Sequence, residues 1–143
     1  MTASPARLVA EPHAACVVCG MANPQGLKIT YQGERDGSVT ALWTPSPAWE
    51  GFRGIIHGGI VSTVLDEAMS KAVQLASRSA VTGELRVRFR RHVASGEALR
   101  IRAWIRESHK RLLRTEAALV AADNSEHAHA WATFVILPWS CRG

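Results

Sequence analysis

Residues 58–76 read GGIVSTVLDEAMSKAVQLA. Val61, Val64, Leu65, Ala68, Met69, Ala72, Leu75 and Ala76 recur at helical spacing and make a broad apolar face. Thr63, Asp66, Glu67, Ser70, Lys71 and Gln74 take the other side. There Glu67 and Lys71 stand four apart, a surface pair worth about 0.2–0.5 kcal/mol. This is the one convincing helix of the chain, and it is apolar enough to be largely wrapped by other structure.

Everything around the helix reads as strand. After it, residues 80–92, 98–107, 112–122 and 127–137 alternate apolar and polar side chains, separated by turn signals such as Ser95-Gly96 and Asp123-Asn124-Ser125. Leu85, Val87 and Phe89 share one face and Arg86, Arg88 and Arg90 the other; Leu99, Ile101, Ala103 and Ile105 oppose Arg100, Arg102, Trp104 and Arg106. Period two with hairpin-length gaps predicts an antiparallel sheet with one buried face. Before the helix, residues 27–33 and 38–44 predict a hairpin around a turn at 34–37, and Pro45 and Pro47 open a loop through Gly54. The fold class is therefore α+β, one long helix filling a curved antiparallel sheet. Residues 1–15 read as a flexible arm, 16–138 as the single domain and 139–143 as a tail.

The 143 residues, 47% hydrophobic and 20% charged, suit one folded domain. Three cysteines exclude a disulfide framework. No apolar run approaches the roughly 20 residues of a membrane span, and the first twelve residues lack the apolar core of a secretory signal. A cytoplasmic protein with no membrane partner is expected. The net charge is +5, and residues 78–114 hold eleven basic side chains against Glu84, Glu97 and Glu107. That excess suits either an anionic partner or a solvated sheet face paired with acids such as Glu116. With no recognition helix and no aromatic stacking pair amid the basic strands, nucleic acid is not expected.

The chemistry concentrates at Gly54-Ile55-Ile56-His57-Gly58-Gly59, with Asp66 and Glu67 about two turns into the helix. Free N–H groups at a helix N-terminus stabilise an oxyanion. A carboxylate on a mostly apolar helix serves as general base or nucleophile.

His57-Gly58-Gly59, six residues and then Asp66 resembles the signature of hotdog-fold acyl-CoA thioesterases of the phenylacetate-pathway (PaaI-like) type. Cys16-Val17-Val18-Cys19-Gly20, Asn23-Pro24-Gln25-Gly26-Leu27 and Val87-Arg88-Phe89-Arg90-Arg91 extend the resemblance over roughly residues 16–137. It implies a homodimer or dimer of dimers with active sites between subunits, and hydrolysis of an acyl-CoA without metal or cofactor. By position Asp66 is the catalytic carboxylate and Gly59 N–H the oxyanion donor, while His57 and Gly58 shape the turn. Arg90 and Arg91 lie where the family threads the CoA nucleotide. Many relatives carry Asn or Gln six or seven residues before the motif's histidine; Gly51 and Glu50 stand there here. Either Glu50 takes part or another group fills the role.

Each feature has a plainer reading. Glu67 reads first as Lys71's partner, and second as a supporting acid at the site or across the dimer. His57 reads as holding the turn rather than moving protons. His13, Cys16 and Cys19 could be three zinc ligands, but no fourth is evident short of Cys141 or His129. The cysteines therefore read as small buried side chains. Two other functions remain beside hydrolysis: binding acyl-CoA without cleavage, and hydration or dehydration of an acyl thioester. The acyl group is not legible.

Overall fold

A computed structural model describes residues 14–137, so most of the expected arm, including His13, and the whole tail, including Cys141, lie outside the described residues. The hairpin before the helix comprises β1 (Gln32–Gly33) and β2 (Val39–Trp43). Asp36 Oδ1 secures its turn by accepting from the Ser38 N–H and hydroxyl, and Gly37 takes a left-handed φ of 87°. The strand expected over 27–33 is corrected to its last two residues. Lys28 is left-handed (φ 55°), and the N–H groups of Leu27 and Ile29 bond Val17 and Val18 carbonyls instead of the sheet. Residues 14–31 thus form a strap. It reaches the helix through Tyr31, whose buried hydroxyl donates to the Val64 carbonyl (2.9 Å).

The helix α1 spans Gly58–Leu75, with His57 as N-cap. It ends in a Schellman arrangement: Arg78 N–H bonds Val73 O and Ser77 N–H bonds Gln74 O, with Ser77 left-handed at φ 61°. The strands that follow are β3 (Ala80–Phe89), β4 (Leu99–His109), β5 (Leu112–Ala121) and β6 (Glu126–Ile136). All six strands form one antiparallel sheet in the order β1-β2-β4-β5-β6-β3.

Why the helix fits this sheet is visible in the register. Val39, Ala103, Ala117, Ala130 and Val87 lie side by side across five strands. The three alanines are fully buried, and their short side chains let α1 approach the sheet closely. Val61, Val64, Leu65, Ala68, Met69 and Ala72 complete the core from the helix side.

Two expectations change here. Residues 80–92 and 98–107 are not hairpin partners: β3 pairs with β6 and β4 with β2, so residues 90–98 carry the chain from one edge of the sheet toward the other. Nor is β3 covered on its apolar face. It is an edge strand, and Leu85 and Phe89 stay 37% and 51% exposed. Alternation marks a side chain's face, not how much of that face a single helix can cover.

Candidate functional site

The turn before α1 is held from outside the helix. His57 N–H bonds Trp49 O, Ile56 N–H bonds Val93 O, and Gly54 takes φ 79°. Glu50 braces the same loop: Oε1 accepts the Gly54 N–H (3.0 Å) and Oε2 the Ser95 hydroxyl (2.6 Å). Those bonds hold its carboxyl below the usual range. Both Glu50 oxygens are therefore engaged by the loop. Gly51 lies close against the same histidine: a Cβ there would meet His57 Cδ2 at 3.2 Å and need the ring to yield by a few tenths of an ångström.

His57 Nδ1 accepts the Gly59 N–H (2.9 Å). The imidazole is thus a helix cap, and the amide assigned to an oxyanion is bonded to it. A thioester oxygen must displace or share that bond.

Asp66 is half-buried, and its Oδ1 accepts the Thr82 hydroxyl at 2.8 Å. Burial raises the Asp66 pKa, and the Thr82 bond partly offsets the rise. Sequence reasoning missed Thr82 for a definite reason. With Leu85, Val87 and Phe89 facing the helix, strict alternation sends Thr82 outward. The register shifts between Thr82 and Glu84, and Thr82 lies opposite buried Phe134 on the inner face. A bulge at Gly83 has re-aimed it; a glycine inside a strand was the available signal.

Glu67, next to Asp66, faces elsewhere. Cys16 Sγ donates to its Oε2 (3.7 Å), Cys19 Sγ to its Oε1 (3.8 Å), and Lys71 Nζ lies 3.6 Å from Oε1. Lys71, expected at the surface, is 0% exposed; the strap covers the side of α1 that periodicity marks as polar. Burial pushes the Cys19 thiol up to about 11, aided by Cys16 and the Glu67 charge and opposed by Lys71. With no ion bound, the thiol is a protonated donor rather than a nucleophile.

A groove of about 390 Å³ runs beside the turn, lined by Phe52, His57, Gly58, Phe89, Arg90 and Arg91 among others. Arg90 Nε is held by Glu126 (3.0 Å). Most arginines of the outer face have local partners: Arg106 pairs with Glu116 (3.0 Å), Arg114 with Glu107 (3.4 Å), and Arg102 with Asp36 (3.2 Å). Aromatic rings do interleave with them, contrary to the expectation. Arg86 lies over Trp131 and Arg102 over Trp104, so each ring is already stacked by a neighbouring guanidinium.

The family model described as Thioesterase superfamily matches residues 53–128. No curated protein matches the chain significantly. A solved thioesterase superfamily protein superposes with TM-score 0.80 at 24% identity, over 82% of this chain and 61% of that one, so this chain spans under two thirds of that protein. The PaaI protein of the E. coli phenylacetic acid degradation operon superposes with TM-score 0.71 at 19% identity, covering 76% and 83% of the two chains. A hypothetical thioesterase of Streptococcus pneumoniae, solved with coenzyme A, gives TM-score 0.73 at 15% identity, covering 78% and 88%. Two variants of a hypothetical thioesterase from that bacterium are also matched. In one an aspartate and in the other a threonine, sixteen residues apart, is replaced by alanine.

Proposed function

The chain belongs to the thioesterase superfamily and has the hotdog fold, and on that premise we propose that it hydrolyses an acyl-CoA to a carboxylic acid and free CoA. The observation that carries this is the half-buried Asp66 held by Thr82, on a helix whose N-terminus presents the amides of Gly58 and Gly59. Asp66 and Thr82 stand sixteen apart, the spacing of the aspartate and threonine replaced in the Streptococcus pneumoniae variants.

Asp66 deprotonates a water that attacks the thioester carbonyl, or attacks it directly to give a mixed anhydride that a water then hydrolyses, freeing the acid and the aspartate. The helix N-terminus receives the oxygen that becomes negative, and the CoA thiolate leaves and takes up a proton. The CoA phosphates lie toward Arg91 and Arg90 at the groove.

One chain does not complete this site. Gly59 and Asp66 are seven residues apart on α1, about 10 Å along the axis, too far to act on one carbonyl. The exposed β3 edge supplies the remedy. Thr82, bonded to Asp66, lies near one end of β3, and Phe89, packed over Gly58, ends the strand. Two such edges paired antiparallel about a two-fold axis at Arg86, with the Gly83 bulge taking up one residue, set Thr82 opposite Phe89 of the partner subunit. Asp66 of one copy then faces the glycine turn of the other.

A thiol-release assay across aromatic, short-chain and long-chain acyl-CoAs tests the reading. Asp66→Ala should lower kcat by about 10²–10⁴ with the fold and dimer retained. Undiminished turnover by that variant would refute it. A second reading, binding without cleavage, is favoured by the engagement of Glu50 in the loop and of Gly59 N–H by His57. It is distinguished by thermal stabilisation with acyl-CoA and no thiol release from the wild-type chain.

A further inference from the structure

We propose that Cys16, Cys19 and Glu67 form a zinc site that fastens the strap to α1. This site is independent of the hydrolytic reading. The ligand atoms of the three side chains all lie within 4.8 Å of one another. The sulfur–oxygen separations, 3.7 and 3.8 Å, are long for hydrogen bonds. They run to the two oxygens of one carboxylate, Cys16 to Oε2 and Cys19 to Oε1, each close to the edge of about 3.5 Å that Zn–S of about 2.3 Å and Zn–O of about 2.0 Å set at the tetrahedral angle, so Glu67 turns one oxygen to the ion as it binds.

The local backbone is built to bring the two sulfurs together. Gly20 N–H bonds Cys16 O (2.9 Å), closing a turn over the Cys-x-x-Cys stretch. A Cβ at Gly20 would meet Cys16 N at 2.3 Å and Ala14 O at 2.5 Å, so only glycine fits. Val18 N–H points at Cys16 Sγ (3.4 Å), a donor that steadies a sulfur carrying negative charge.

An independent observation comes from Lys71. Its Nζ is fully buried and makes no hydrogen bond among the described residues, with the Glu67 carboxylate 3.6 Å away. A buried ammonium with a carboxylate beside it but no hydrogen bond is still costly. Two thiolates and one carboxylate around a divalent ion leave one negative charge, and Lys71 is the cation that balances it. The three side chains leave one tetrahedral position for water. Thiolate ligands select zinc over magnesium or calcium.

The test uses the full chain, reduced and stripped with a chelator, then titrated with Zn²⁺ and separately with Co²⁺. One cobalt ion per chain should bind with a sulfur-to-cobalt charge-transfer band, and Zn²⁺ should displace it and raise Tm. Cys16→Ser and Cys19→Ser, which keep a hydroxyl donor toward Glu67, should each abolish the two-thiolate spectrum and the Tm gain. Lys71→Met should weaken zinc binding by about 10–100-fold, as loss of an outer partner does. The proposal is overturned if the reduced wild-type chain shows no stoichiometric cobalt band, or if both serine variants bind as well as wild type. A Cys16–Cys19 disulfide mapped in freshly purified protein would also overturn it.

Discussion

At Asp66 two opposing influences meet: burial disfavours the carboxylate, and one hydroxyl favours it. In the proposed role of base Asp66 must be ionised, so the acid limb of the pH–rate profile should lie above that of an ordinary aspartate. Thr82→Val removes only the lowering influence. The limb should then move to higher pH and kcat should fall, by about tenfold for a hydrogen bond to a charged group; a profile of kcat/KM against pH checks both. His57 is the contrasting case, because its ring nitrogen caps α1. His57→Ala should cost about 0.5–2 kcal/mol in denaturant unfolding while turnover stays within about tenfold, below the range for a lost proton carrier. Asp66 and His57 were legible in the sequence because both sit in a short contiguous pattern. Thr82 was not, because the bulge that turns it inward depends on pairing with β6.

Among the elements, α1 was legible almost to its ends, since eight apolar side chains at helical spacing leave no other surface to bury. Its polar side was misread. Lys71 and Glu67 look like a solvated pair from local spacing, yet the strap from residues 14–31 lies over them. Apart from residues 27–31, which form part of the strap, strand positions were legible within a few residues from alternation, but partners were not: alternation is the same whichever neighbour a strand takes. The contact between α1 and the sheet depends on the row Ala103, Ala117 and Ala130. Ala117→Leu should overpack it and cost about 1–3 kcal/mol; an unchanged denaturation midpoint would contradict that account.

For the whole molecule, an edge strand with exposed Val81, Leu85 and Phe89 is a liability in a lone chain and an interface in a pair. If Asp66 of one subunit works with Gly59 of the partner subunit, neither of two dead variants is dead in combination. Asp66→Ala and Gly59→Val, each inactive alone, should on co-refolding in equal amounts recover about a quarter of wild-type activity through mixed dimers with one intact site. Sites contained within one chain would recover none. Leu85→Glu, which sets like charges near the two-fold axis, should give a folded monomer without turnover, seen by sedimentation and thiol release. By itself the sequence determined the α+β class, the helix and the His57-Gly58-Gly59…Asp66 signature, because each is written in local spacing. Only the tertiary structure decided the strand order, the inward Thr82, the burial of Lys71 and the meeting of Cys16, Cys19 and Glu67. Those depend on which distant segments bury one another's surfaces, and local periodicity carries no record of that choice.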